Sequence, residues 1–408
     1  MVSTIAAADN VLKIGYGKIH EQLDNFTVAL KLMSKGSKHI TGGNVEAQFA
    51  VHTGRTWGIG ARNEYENLPA AGANTDARAT VGLRYQYGTI EGSGQVFAQV
   101  QTDPQAFVDW MQREVEGIRQ TMERDLNRQL YGDSTGTLAL LTAGATTATV
   151  LNVDQTLWFE RGQRLDVLTA ETLGSPTPTS GLATGDVLTV ASVDHDAGTI
   201  TVTGGTVTAA VGSAVVLASY ENGSRTTNWK KEWEGFGSII SETAPLHGIN
   251  PATEPVWAAG YVESSVGTLT ELDLTHFAQA IYSQGTKLTD FITGFGVANA
   301  YWQVLQGLRR YDGAERLKGG AQTPVFQSVL GDIPFTIDPA APAGALYGVN
   351  RDEWFMNQVN DWQWLDKDGS KWHQVPFKDA WRATISKYAN VGVYRRNAFG
   401  KLTGITVA

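Results

Sequence analysis

Seven histidines, at positions 20, 39, 52, 195, 247, 276 and 373, are the side chains of this 408-residue chain best suited to move protons or hold a metal near neutral pH. None stands in an HExxH or comparable ligand spacing. Asp194-His195-Asp196 is a tight acid and imidazole cluster, but Ala197-Gly198 follows it and strand-like runs flank it, so it reads as a hairpin turn. Gly294-Phe295-Gly296 could begin a dinucleotide loop, yet Asn299 stands where the third small residue belongs, and the segment reads as a turn. No Walker lysine and no GxSxG elbow occurs. There is no cysteine, which removes disulfides, thiolate-bound zinc and thiol catalysis together. These residues predict no cofactor, no metal site and no enzyme. Five of the twelve tryptophans, at 354, 362, 364, 372 and 381, open a different chemistry, stacking on sugar rings. Trp354, Trp362 and Trp364 lie in or beside strand-like runs with apolar neighbours, which favours a core or a subunit interface.

Charge narrows the partners. The net charge is -9, and a surface that grips nucleic acid needs clustered Lys and Arg to displace counterions. Residues 1–40 are locally basic at +2, which reads as a solvated face on a short helix from about Ile19 to Met33. No apolar run approaches the roughly 18 residues of a membrane helix, and no signal-peptide core follows Met1, so maturation in the cytoplasm is expected. Four arginines, Arg55, Arg62, Arg78 and Arg84, are spaced along one stretch that holds no lysine. Their planar forks suit carboxylates on another subunit, and each taken singly reads equally well as a solvated charge.

Val45, Ala47, Phe49 and Val51 alternate with polar residues, and so do Val81, Leu83, Tyr85 and Tyr87. That period of two predicts a two-stranded ribbon with one apolar face, turning at residues 67–74. Such a ribbon cannot stabilise itself in water and needs a cover, which a neighbouring copy would supply. Val81, Leu83, Tyr85 and Tyr87 are therefore expected between subunits, beside the four arginines. Asp103-Pro104 opens a helix that should run from Pro104 to Tyr131, with Phe107, Met111, Val115, Ile118, Met122, Leu126 and Leu130 on one stripe.

From Leu138 to Ser219 the chain turns to Thr, Gly and Val, with short strands expected at 163–167, 186–190, 199–203 and 214–217. That is the texture of a small inserted barrel or sandwich. Beyond Tyr220, helices are expected at 273–284, with Gly285 as the stop, and at 297–308 with Tyr301, Trp302, Leu305 and Leu308 along it. Strands are expected at 291–292, 333–337, 345–347, 353–356, 362–364 and from 384 through 393, with 338–342 as a surface connection. The class is α+β.

The order of basic arm, ribbon, long helix and α+β body resembles the tailed-phage major capsid proteins with the Hong Kong phage-type fold. The resemblance rests on Asp103-Pro104, on Val297-Ala298-Asn299-Ala300-Tyr301-Trp302 with Leu305 and Leu308 before Gly319-Gly320, on Gly331-Asp332-Ile333-Pro334-Phe335, and on Arg382-Ala383-Thr384-Ile385-Ser386 running to Ala398-Phe399-Gly400-Lys401-Leu402. It covers the chain except the β insertion. It implies an N-terminal arm at 1–44, an extended loop at 45–100, a peripheral domain with spine helix at 101–137, an inserted barrel-like domain at 138–219, a peripheral return at 220–240, an axial domain at 241–375 and closing strands at 376–408. It further implies a virion shell of pentamers and hexamers around double-stranded DNA, assembled in the bacterial cytoplasm with scaffold and portal proteins, and with room for a decoration protein. The lysine-to-asparagine welding used by some of these shells is not expected, since no lysine lies between Lys38 and Lys230. An encapsulin shell of the same fold and a carbohydrate-binding adhesin are the rival readings.

Overall fold

The computed structural model describes residues 27–35, 46–95, 104–168, 187–221, 224–308, 325–328, 330–366 and 370–407. Most of the expected arm helix, the Asp103 cap and Gly319-Gly320 lie outside them. The chain enters through a short helix α1 (Val28–Leu32) and strand β1 (Ser34–Lys35). Strands β2 (Ala47–Gly54) and β3 (Thr75–Val81) form the ribbon, with Ala47 opposite Val81 and Gly54 opposite Thr75. The returning strand is thus 75–81, not 81–88. The unbroken alternation from Val81 to Tyr87 hides a break at Gly82, where β4 (Arg84–Ser93) leaves to join the body. Two asparagines hold that break: the Asn357 amide lies 3.5 Å from the Val81 carbonyl, and the Asn390 amide donates to the Gly82 carbonyl at 2.9 Å.

Helix α2 (Pro104–Gln129) is 26 residues long, about 39 Å at 1.5 Å per residue. Its stripe deepens along the chain: Val115 and Ile118 are half-buried, while Met122, Leu126 and the following Leu130 are buried. Arg119 bridges Glu116 and Glu123 on the wet side. β4 crosses α2 so closely that a Cβ at Gly88 would sit 2.2 Å from the Met122 sulfur. The last helical carbonyls are not left bare. Leu130 O accepts from Phe236 N–H at 2.7 Å, an approach that requires glycine at position 235, where a Cβ would fall 2.4 Å from Gln129 O.

The chain then forms β5 (Thr137–Leu140), β6 (Ala145–Ala148), β7 (Val150–Asn152), β8 (Arg164–Leu168), β9 (Leu188–Asp194), β10 (Thr199–Thr203), β11 (Val207–Ala209), β12 (Ala214–Glu221) and β13 (Ser224–Thr227), the region expected as an insertion. Its main sheet runs β13-β12-β8-β9-β10-β7, and β5 also pairs with β12. A bridge from Leu141 to Val153 brings β5 back to β7, so the strands close into a barrel-like ring. Inward residues such as Leu165, Val167, Leu188, Ile200 and Val215 belong to the same apolar core as Leu126 and Leu130. The Trp158 indole also donates to Ala340 O at 2.9 Å, so the insertion is bonded to the body.

The remaining chain adds α3 (Phe236–Ile239), β14 (Tyr261–Glu263), α4 (Glu271–Ser283), β15 (Asp290–Thr293), α5 (Phe295–Leu308), β16 (Val325–Ser328), β17 (Gly331–Ile337), β18 (Leu346–Val349), β19 (Trp354–Trp364), β20 (His373–Gln374), β21 (Ala380–Val393) and β22 (Gly400–Leu402). Five strands, β1, β19, β21, β20 and β4, make one sheet, and β14-β22-β18-β15-β17-β16 make another. Thr270 and Asp273 form a reciprocal capping box at the start of α4. Leu274, Phe277, Ala278 and Ile281 bury its inner side, and Gly285 follows at φ +83°. In α5 Tyr301 is buried against Phe335, whereas Trp302 is 37% exposed. The two expected strands at 353–356 and 362–364 are one strand, β19, with Trp354 in the core.

The segment 338–342 is not a surface connection. Asp338 is fully buried, and its Oδ2 accepts from Ala29 N–H at 3.0 Å, the Asn127 amide at 2.9 Å and the Tyr131 hydroxyl at 2.8 Å. One carboxylate therefore ties α1, α2 and the end of β17 together. Burial and the Asp338 charge push the Tyr131 hydroxyl well above its usual range.

Candidate assembly surface

Residues 55–74, between β2 and β3, contain no strand and form a mostly exposed limb. It carries Trp57, Ile59, Tyr65 and Leu68 at 80%, 75%, 99% and 85% exposure. Polar bonds shape the limb without covering these groups. The Asn74 side-chain oxygen accepts from Thr56 N–H at 2.9 Å, and Glu66 accepts from Asn63 N–H at 2.9 Å and from its amide at 2.8 Å. Those bonds hold the Glu66 carboxyl below its usual range.

The root of the ribbon is the opposite. Val81 is fully buried with Ala47 and Phe355, and Phe49 packs edge-on against Phe355 and Tyr394 at 6.1 and 5.4 Å. A backbone bond from Thr80 N–H to His247 O at 2.8 Å fixes it further, and His247 Nε2 accepts from Val393 N–H at 3.3 Å. The other ring nitrogen, Nδ1, lies 3.1 Å from Glu234.

The eight residues expected between subunits separate on this frame. Val81 lies in the chain's own core, which corrects its placement on an outer face: the break at Gly82 turns it inward. Leu83 is half-buried. Tyr85 and Tyr87 are about half exposed and stack edge-on against Tyr388 at 5.1 and 6.0 Å. The Tyr87 hydroxyl is pushed up to about 12, first by its contact with Tyr388 and then by burial. Arg55 and Arg78 are exposed. Arg62 folds back onto the limb, donating to Asn67 O at 2.7 Å, and Arg84 donates to Lys230 O at 2.9 Å. The four exposed apolar residues of the limb were missed by sequence reading. Their signal was large apolar side chains inside a glycine-rich, non-periodic stretch.

Buried charges support the body beneath this surface. Arg128 donates to Glu232 at 2.6 Å and Asp125 at 2.9 Å. Burial works against the Arg128 cation, but the two carboxylates outweigh it and hold the group above its usual value; burial also raises Glu232. Arg396 is buried with its guanidinium on four carbonyls, those of Ser238, Ile239, Ala244 and Trp257, at 2.7–3.1 Å. Desolvation pushes it down to about 10, against the pull of Glu234. Asp194-His195-Asp196 forms the expected hairpin turn, with Asp194 Oδ1 accepting from Asp196 and Ala197 N–H. Among the described residues no group of three or more His, Asp or Glu could hold a metal ion, and no helix is long and apolar enough to cross a membrane.

No family profile matches the sequence, and no curated protein matches it. Solved structures do. The capsid asymmetric unit of cyanophage A-1(L) superposes with a TM-score of 0.56 at 12% identity, covering 95% of this chain and 97% of that one. The capsid of a native GTA particle gives 0.51 at 12% identity over 99% of both. The SrpI encapsulin of Synechococcus elongatus gives 0.47 at 8% identity, a similarity too slight to bear on function. With end-to-end coverage by capsid chains of this kind, the protein has the Hong Kong phage-type capsid fold.

Proposed function

We propose that this chain is the major capsid subunit of a tailed phage, assembling into pentamers and hexamers of a closed shell around double-stranded DNA. The observation that carries the reading is the limb at 55–74, whose four large apolar side chains are 75–99% exposed and covered by none of the described residues. Burying each would contribute about 1.5–3 kcal/mol, a gain realised only when another copy arrives. On this reading residues 45–100 are the extended loop lying over a neighbour, α2 is the spine of the peripheral domain, and residues 241–375, with α4 and α5, form most of the axial domain. Leu83, Tyr85, Tyr87, Arg55, Arg62, Arg78 and Arg84 are the candidate contacts. The net charge of -9 suits a wall that confines DNA without gripping it.

Scaffold and portal proteins are the partners this role requires, with assembly in the bacterial cytoplasm. An adhesin is disfavoured by Trp354, which lies in the core rather than on a sugar platform. Co-expression with a matched scaffold, followed by sedimentation and negative-stain microscopy, tests the proposal. Closed particles of uniform diameter are expected. A subunit that remains monomeric at high concentration contradicts it, and particles that retain a protein cargo and exclude DNA would assign the encapsulin role instead.

A further inference from the structure

A groove of about 1020 Å³ opens between β4, the C-terminal half of α2 and the inserted barrel. Three observations define what it fits. First, the whole stretch from Leu83 to Thr89 lines it, and among the described residues β4 pairs only with β21, so its second edge offers unused backbone donors and acceptors. Second, Leu83, Leu157 and Leu217 supply apolar wall. Third, the charges do not balance. The three lining carboxylates are engaged by two arginines, Arg124 with Glu160 and Arg128 with Asp125 and Glu232. Arg84, Arg164 and Lys231 also line the groove, and among the described residues none of them has a carboxylate partner; Arg84 and Lys231 reach only the carbonyls of Lys230 and Thr227.

We propose that the groove docks an extended acidic segment of a second, different protein, which adds to β4 as a further strand. Main-chain bonds to the open edge would supply affinity, alternate apolar side chains would meet the leucines, and acidic ones the three unpaired cations. The limb of another copy fits less well: its Arg55 and Arg62 balance Glu64 and Glu66, and it contains no strand. A DNA duplex would bring its phosphates to the cations but could not use a strand edge. The free subunit presents the site, and a docked segment would compete there with any neighbouring copy that contacts Leu83, Arg84, Tyr85 or Tyr87.

The test uses the full-length subunit and a fluorescein-labelled eight-residue peptide of alternating Glu and Val, followed by anisotropy. We expect it to bind about tenfold more tightly than its Lys-Val counterpart and to weaken with salt. Methylating alternate backbone nitrogens of the peptide should abolish binding without any change to the protein. The double variant R164E/K231E, both exposed positions, should lose about tenfold with its melting transition intact. Equal binding of the acidic and basic peptides, or undiminished binding of the methylated one, overturns the proposal. So does displacement by a short DNA duplex at lower concentration, or tighter binding of a peptide spanning residues 60–70 of this chain.

Discussion

The root and the limb of one ribbon treat the same residue types in opposite ways. At the root, Ala47, Phe49 and Val81 close against Phe355 and Tyr394 of the body. Some ten residues onward, Trp57, Ile59, Tyr65 and Leu68 stand in solvent. Apolar side chains at the root stabilise the fold, and those of the limb, on the proposed function, are left for association. A buried position is felt by the monomer, whereas an exposed one is felt only by an assembly.

That contrast can be broken by substitution. The largest effect is expected from W57S/I59S/Y65S/L68S, which should abolish particle formation in sedimentation while shifting the subunit's melting temperature little, because none of the four side chains is packed in the monomer. Phe355→Ala at the root should act in the opposite sense. It removes a buried ring and should lower subunit stability by about 3–5 kcal/mol in denaturant titration. If the limb variant melts early and the root variant does not, the division is wrong. Arg396→Met leaves four carbonyls without their donor and should destabilise by about 1–3 kcal/mol or more, read as a lower denaturation midpoint.

A smaller, pH-dependent effect sharpens the comparison from the insertion. Burial raises the Asp166 carboxyl above its ordinary value despite Arg225 at 3.2 Å. A raised folded pKa means the native state binds the proton more tightly than the unfolded one. The group's contribution is therefore fully present below its unfolded pKa and is lost as pH rises through the folded value. Asp166→Asn should flatten the acidic limb of the stability profile measured by denaturant titration across that range. The smallest effect is expected from Arg55→Ala on the limb, within about 0.5 kcal/mol for the subunit.

Much of the fold was legible because its patterns are local. The stripe of α2, the helix α4 with Gly285 after it, and the strands β8, β9, β10 and β12 follow from periodicity and punctuation, whereas the Thr270 cap and the shorter strands of the barrel were not read. What was not legible depends on distant residues. The alternation from Val81 to Tyr87 runs unbroken in sequence, and only Asn357 and Asn390, some 300 positions on, show that it is two strands. The loop at 338–342 has the composition of a surface turn, yet Ala29, Asn127 and Tyr131 draw Asp338 into the interior. The candidate assembly surface was half seen. An arm needing a cover was inferred from the ribbon, but the stripe was placed on Val81, which is in the core. The limb's apolar residues have no strand period to betray them, since the limb is not a strand.

The central claim is that the limb is bare in the subunit and covered in the shell, and oxidative footprinting of Trp57 and Tyr65 tests it most directly. Rapid hydroxyl-radical labelling of both residues in free subunits, with strong protection in assembled particles, is the result predicted here. Equal labelling in the two states, or protection already complete in the monomer, would contradict it.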